Sequence, residues 1–245
     1  MKNIAVILAG GTGSRMGSET PKQFLPLGGH CVLFHSVKPF EDSPSIDEVA
    51  IVTHRDHRGR VEALVAEAGW KKVSHVIDGG DERYLSSLNA IMAFIDYPDS
   101  TNILFHDAAR PCVSARIVED VCRMLQHYPA VAVGIPATDT LWEIAFNQEA
   151  LTATPENPYA VLRVPERQRF WQAQTPQAFR LPLIRDAYQR ALNDPSFHAT
   201  DDASVVARYI PEQKVHILQG SPSNIKITHP ADLLSAEEFL TNNNK

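Results

Sequence analysis

The chain has 245 residues, 44% of them hydrophobic and 21% charged, with a formal net charge of −6, which suits one large α/β domain with a sizeable core. The acidic balance argues against broad electrostatic binding to DNA or RNA, which needs a dense basic surface, but leaves room for a small anion in a locally basic cleft. No apolar stretch approaches the roughly 20 residues needed to span a membrane, and residues 1–8 lack a cleavable signal pattern, so the expected location is the cytoplasm, with no membrane partner.

The first element is Ile4-Ala5-Val6-Ile7-Leu8, a continuous apolar run of strand length. Such runs mark strands buried on both faces of a parallel sheet, and the turn after the first is where α/β proteins bind nucleotides. Gly10, Gly11 and Gly13 follow, and glycines there let backbone N–H groups approach an anion closely. Arg15 and Lys22 lie seven residues apart, with Pro21 stiffening the approach to Lys22, so two cations can clamp different oxygens of one triphosphate. Neither familiar phosphate loop fits. Met16 stands where a dinucleotide fingerprint needs its third glycine, and Lys22 follows Pro21 instead of the glycine of a Walker loop. Taken alone, the segment also reads as a glycine-rich turn with two solvated cations.

Further apolar runs at 49–52, 73–77, 103–105 and 131–135 predict strands. Between them Val61, Leu64, Val65 and Ala68 share one helical face, and Leu88, Ile91, Met92 and Ile95 another. Ser114 is placed to cap a helix carrying Ile117, Val118, Val121 and Leu125. This alternation predicts a Rossmann-like α/β fold, a mostly parallel sheet covered by helices on both faces, with residues 1–245 forming a single domain. The alternation breaks after Pro136. Residues from about 137 to 170 read as two extended arms joined by a polar link around Pro155 and Pro158, too small for a core of their own and suited to packing on a second subunit. Helices near 180–192 and 201–208, a strand at 215–218 and a helix near 231–241 complete the chain, and Cys31, Cys112 and Cys122 read as buried free thiols.

Four motifs fall where an open α/β sheet binds its ligands. Gly79-Gly80-Asp81-Glu82-Arg83 follows the run at 73–77, so its backbone can approach a base or sugar while Asp81 and Ser86 supply polar contacts; a plain turn is the alternative. His106-Asp107-Ala108-Ala109-Arg110-Pro111 sets a carboxylate near a cation, either a structural ion pair or a ligand contact. Trp171 to Phe179 is dense in amides and hydroxyl, suited to a polar ligand or a buried network. Asn224-Ile225-Lys226-Ile227-Thr228 is strand-like, and alternation can point Lys226 into a cleft.

Read in order, AGGTGSRMG, PKQFL, GGDER, HDAARP, TDT, AQTPQAF, TDDAS and NIKIT resemble the cytidylyltransferases that activate small polyol phosphates, over almost the whole chain. These are the methylerythritol-phosphate family of isoprenoid synthesis and its relative, the ribitol-phosphate family of cell-surface polymer synthesis. The resemblance implies transfer of CMP from CTP to a polyol phosphate, with Mg²⁺ bound mostly through the CTP phosphates and Asp107 as the implied metal ligand. By motif, Arg15, Lys22 and Lys226 are the implied catalytic residues. Ala9, Gly10, Gly11, Gly13, Gly80, Asp81, Ser86 and Ala108 are the implied nucleotide-binding residues. Asp107, Arg110, Thr140, Arg167, Thr175 and Thr200 are assigned to the acceptor, with Thr140 and Arg167 reaching a neighbouring subunit of a homodimer from the inserted arm. The stretch from Trp171 to Gln177, HDAARP and TDDAS lean toward methylerythritol phosphate, whereas AGG, Leu141-Trp142 and Tyr209-Ile210-Pro211-Glu212 lean toward ribitol phosphate. Two other readings are a nucleotide-binding homologue without transfer activity and a sugar-nucleotide pyrophosphorylase using UTP or GTP. The first has no need of every charge around a reacting phosphate, and the second lacks GGDER and AQTPQAF as this chain writes them.

Overall fold

Residues Asn3–Ala9 form β1, and their alternation sets the layers of the molecule. Ala5, Ile7 and Ala9 enter one apolar cluster while Ile4, Val6 and Leu8 enter another on the opposite face, as strand geometry requires. In the computed structural model the described residues are 1–11, 20–145, 154 and 158–243. After β1 come β2 (Pro26–Leu27), β3 (His30–Cys31), α1 (Val32–Asp42), β4 (Glu48–Thr53), α2 (Arg58–Ala68), β5 (Val73–Asp78), α3 (Arg83–Ala93) and β6 (Asn102–Asp107). The chain continues through α4 (Ala115–Met124), β7 (Ala130–Pro136), β8 (Glu143–Ile144), β9 (Val161–Arg163), β10 (Trp171–Arg180), α5 (Leu181–Ala191), α6 (Asp202–Tyr209), β11 (His216–Gln219) and α7 (Pro230–Asn243).

Among the described residues seven strands form one sheet in the order β11-β7-β10-β6-β1-β4-β5. The pairs β1 with β4, β1 with β6, β4 with β5 and β11 with β7 are parallel. The α/β fold with a mostly parallel, doubly covered sheet is therefore as the alternation predicts. One strand runs the other way: β10 is antiparallel to both β6 and β7. On one face α1, α2 and α4 contribute Leu33, Val37, Phe40, Val61, Val118 and Val121. On the other, α3, α5 and α6 contribute Ile91, Ile184, Tyr188, Val205 and Val206. The Ser114 hydroxyl accepts the Ile117 N–H at 3.3 Å and caps α4 as its position suggests.

A third, smaller cluster sets Leu27, Val32, Cys112, Ile227 and Ala236 together beneath α7. It also corrects one expectation. Residues 225–228 are not a strand, yet Ile225 and Ile227 turn toward α7, and Lys226 between them faces the opposite way. All three cysteines are free, with Cys112 and Cys122 buried and Cys31 partly so. Among the described residues no helix is long and apolar enough to cross a membrane.

The described residues of the inserted segment include an antiparallel pair, Glu143 opposite Arg163 and Ile144 opposite Val161. Trp142 is 65% exposed, Leu162 63% and Val164 59%. Both ends of the segment are tied to the sheet, since Trp171 pairs with Pro136 and the Ala137 N–H donates to the Phe170 carbonyl at 3.0 Å.

Phe179 on β10 is fully buried against α5, α6 and Phe105. Truncation to alanine leaves a cavity that the packed layers close only in part, so Phe179→Ala will cost about 3–5 kcal/mol. In urea unfolding the midpoint falls while the slope holds, because the surface exposed on unfolding hardly changes.

Candidate active site

A cleft of about 320 Å³ opens at the carboxyl ends of β1 and β6, between the turns after β1, β5 and β6 and the 225–227 segment. Its size falls within the usual range for small-ligand sites. Ala9, Gly10, Gly11, Lys22, Gly80, Asp81, Ser86, Asp107, Ala108 and Lys226 line it, so ten positions singled out from the sequence meet at one place. Gly13 and Arg15 lie outside the described residues.

The glycine wall is built by close approach. The Ser86 hydroxyl accepts the Gly80 N–H at 3.2 Å and donates to the Glu82 carbonyl, and a Cβ on Gly80 would overlap Leu85. The backbone after β5 is thereby held against the start of α3. Opposite it, Gln23 is buried, and its Nε2 donates to the Ala9 carbonyl at 2.8 Å, joining the segment of Lys22 to the end of β1. Lys22 Nζ donates to the Ile227 carbonyl at 3.2 Å, beside Lys226 in the chain. Lysines more than two hundred residues apart in sequence thus share one edge of the cleft.

Asp107 is the electrostatic centre. Its Oδ2 receives Lys226 Nζ at 2.7 Å, its Oδ1 receives Arg83 Nε at 3.3 Å, and Arg110 Nε lies 4.0 Å from Oδ2. Burial pushes the carboxyl up, but Arg83, Lys226 and Arg110 outweigh it and hold it well below the usual carboxylate range. Arg83 is steadied in turn by Asp202, fully buried at the start of α6, at 2.8 Å. Burial pulls the guanidinium down, whereas Asp202 and Asp107 together raise it above its ordinary value. Tyr188 donates to Asp202 Oδ1 at 2.7 Å, and Gln177 Oε1 accepts the N–H groups of Asp202 and Ala203, both at 2.9 Å. Sequence reasoning left out Gln23, Arg83, Tyr188, Gln177 and Asp202 as site residues. Arg83, Gln177 and Asp202 stood inside GGDER, AQTPQAF and TDDAS, where a charge or amide beside an apolar run was the available signal.

Five other positions lie away from the cleft wall. Arg110 spends Nη1 on the Asn224 carbonyl at 2.7 Å and Nη2 on the Ala173 carbonyl at 3.1 Å, bracing the segment that carries Lys226. Thr140 and Thr200 are exposed. Arg167, also exposed, donates to the Thr138 carbonyl at 2.6 Å. Thr175 is buried behind Asp107, whose backbone N–H it accepts at 3.1 Å.

Residues 3–242 match the family model described as 2-C-methyl-D-erythritol 4-phosphate cytidylyltransferase. The chain belongs to that family. It is accordingly a nucleotidyltransferase. A 2-C-methyl-D-erythritol 4-phosphate cytidylyltransferase from Thermobifida fusca (strain YX) is 44% identical over 236 residues, covering 96% of this chain and 92% of its own. The bifunctional ribulose 5-phosphate reductase/CDP-ribitol pyrophosphorylase Bcs1 of Haemophilus influenzae is 38% identical over 98% of this chain, which spans 48% of that longer protein. Among solved structures, the 4-diphosphocytidyl-2C-methyl-D-erythritol synthase of Anaerococcus prevotii DSM 20548 superposes with a TM-score of 0.78 at 25% identity, covering 98% of both chains. The 2-C-methyl-D-erythritol 4-phosphate cytidylyltransferase of Thermus thermophilus superposes with a TM-score of 0.71 at 28% identity, over 98% of this chain and 100% of its own.

For a family whose substrate is a nucleoside triphosphate, the donor set suits a metal carried by phosphates better than one caged by protein. Among the described residues no three His, Cys, Asp or Glu side chains gather to hold an ion. Mg²⁺ needs no such cage, because it keeps several waters and takes one or two carboxylates beside substrate phosphates. Asp81, Glu82 and Asp107 line the cleft, and Asp107 is the buried one, whose two oxygens already face Lys226 and Arg83 and would be shared with a metal.

His106, next to Asp107, is fully buried, and burial pushes its imidazole down to about 4. The unfolded chain takes up this proton below its ordinary value of about 6.5 while the folded chain does not. Stability from neutral His106 is complete above about pH 6.5 and declines by about 3 kcal/mol as pH falls toward 4. Urea unfolding across that window will show the loss in the native chain and a smaller slope in His106→Gln; equal slopes would count against it.

Proposed function

We propose that the chain transfers CMP from CTP to 2-C-methyl-D-erythritol 4-phosphate and releases pyrophosphate, acting as a cytoplasmic homodimer. The observation that carries the nucleotide half is the convergence of Lys22, Lys226 and a glycine wall around the buried, ionised Asp107. The acceptor rests on the family match and on the 44% identity to the Thermobifida fusca cytidylyltransferase. The Haemophilus influenzae relative makes ribitol 5-phosphate the competing acceptor to measure.

In this reading an ionised oxygen of the acceptor phosphate attacks the α-phosphorus in line, forming a new P–O bond as the bond to pyrophosphate breaks. Phosphate monoesters are already largely ionised near neutral pH, so no general base is required. The protein's task is to position two anions and offset the charge that develops between them. Arg15 and Lys22 hold the triphosphate, Lys226 meets the reacting phosphates, and Asp107 keeps Lys226 directed into the cleft. Ala9, Gly10, Gly11, Gly13, Gly80, Asp81, Ser86 and Ala108 wall the nucleotide, and Arg110 serves by bracing the Lys226 segment. Asp107 is the residue that would hold Mg²⁺ beside the CTP phosphates, where the ion would supply neutralisation of phosphate charge.

Purified protein given CTP, Mg²⁺ and each acceptor separately will release pyrophosphate faster with methylerythritol 4-phosphate than with ribitol 5-phosphate; silence with both would overturn the reading. Loss of one charge donor at the reacting phosphates raises the barrier by about 3–4 kcal/mol, so Lys22→Ala will lower turnover correspondingly. Near-normal turnover of that variant removes Lys22 from the machinery.

The apolar, exposed Trp142, Leu162 and Val164 support packing of the inserted arm on a second copy, which brings Thr140 and Arg167 to the partner's site. Lys22→Ala and Arg167→Ala subunits, each inactive alone, will then recover about a quarter of native activity when co-assembled at equal amounts, since half the two-fold dimers keep one intact site. No recovery in mixed dimers would place Arg167 in its own subunit's site.

A further inference from the structure

One residue before its end at Asp107, β6 carries a side chain to which the transfer chemistry gives no task. His106 is fully buried, packed on Phe40 with ring centroids 4.9 Å apart. Both ring nitrogens are engaged: Nε2 lies 3.1 Å from the Arg110 carbonyl oxygen, and Nδ1 lies 2.9 Å from the Thr175 hydroxyl. A carbonyl oxygen only accepts, so Nε2 carries the proton of the neutral ring and Nδ1 keeps its lone pair. The Thr175 hydroxyl is then fixed in both of its roles. Its proton goes to His106 Nδ1, and its oxygen accepts the Asp107 backbone N–H at 3.1 Å. At 3% exposure, and with its proton turned inward, this hydroxyl has no donor to offer a ligand in the cleft.

We propose that His106 and Thr175 are positioning residues for cytidylyl transfer, acting through the backbone of Asp107 without touching either reactant. The rest of the same turn is also pinned. Ala108 N–H donates to the Leu8 carbonyl at 3.0 Å, Ser36 Oγ to the Ala108 carbonyl at 2.7 Å, and Ile227 N–H to the Ala109 carbonyl at 2.8 Å. The Thr175 contact ties the root of Asp107 to β10, and the carboxylate above that root orients Lys226. A charge donor displaced by about 1 Å loses on the order of 10²-fold in rate, so a hydroxyl behind the site governs turnover through geometry alone. This inference rests on the reading of Asp107 and Lys226 as part of the transfer site.

Four variants of the full chain separate the hydroxyl and the ring acceptor from mere packing. Thr175→Ser keeps the hydroxyl, and Thr175→Val keeps the shape without it. His106→Asn sets an acceptor near the position of Nδ1, and His106→Gln keeps a donor near Nε2 while losing that acceptor. With CTP, Mg²⁺ and the better acceptor, kcat will fall on the order of 10²-fold in Thr175→Val and His106→Gln, with KM for both substrates nearly unchanged. Thr175→Ser and His106→Asn will stay within about threefold of the native enzyme. Native kcat in Thr175→Val overturns the proposal, as does a raised acceptor KM at unchanged kcat, which would make Thr175 a direct substrate contact.

A second measurement needs no variant to fold. Nitrogen-15 NMR of the native chain will find the His106 ring neutral with its proton on Nε2, and a proton on Nδ1 overturns the relay. If the native enzyme is silent with both acceptors, the functional reading fails, whereas the NMR result still decides the geometry proposed for Thr175.

Discussion

A carboxylate withdrawn from water carries a penalty of several kcal/mol unless cations stand close enough to offset it. At the end of β6, Lys226 and Arg83 contact Asp107 and Arg110 stands just beyond, each delivered by a different part of the chain. The consequences run outward from that group. Arg83, half-buried and always charged, is fixed in its direction because Asp202 stands behind it, and Asp202 is held by Tyr188 and by the N-terminal turn of α6 closing on Gln177. Lys226 is in place because Ile225 and Ile227 sink beneath α7 on either side of it. Removing one partner leaves the others as uncompensated buried charge, which is why such clusters fail more severely by single deletions than by loss of a surface ion pair.

Much of this was legible in the sequence for local reasons. A strand buried on both faces writes itself as an unbroken apolar run, so β1 and β4 stood out. The turn after β1 and the GGDER turn were readable because glycine is needed where backbones approach closely, and Gly80 packs against Leu85 with no room for a Cβ. Their assembly into one cleft with HDAARP and NIKIT followed from the rule that ligands gather at the carboxyl ends of strands.

The remainder depended on distance in the chain. β10 is rich in amides and contains Pro176, so neither apolar run nor alternation marks it as the strand between β6 and β7. In α1 the apolar positions Val32, Leu33, Val37 and Phe40 have helical spacing, yet Pro39 inside the helix reads as a break. The partnership of Arg83 with Asp202 spans 119 positions, and no local pattern encodes it. Thr175 shows a different limit. Its motif reveals that a hydroxyl stands beside the site, but only the placement of His106 decides which way the proton points.

The antiparallel course of β10 has a further result for how such a protein changes over evolutionary time. Because β7 leaves the sheet at Pro136 and β10 re-enters directly opposite it at Trp171, the excursion between them is closed at its base by strand register. Length and composition within the excursion can drift without altering the alignment of β6, β7 and β10, on which the turn at Asp107 is built. The architecture therefore separates a fixed base, where β6, β7 and β10 hold the turn at Asp107, from an attachment whose length the register of those strands does not set.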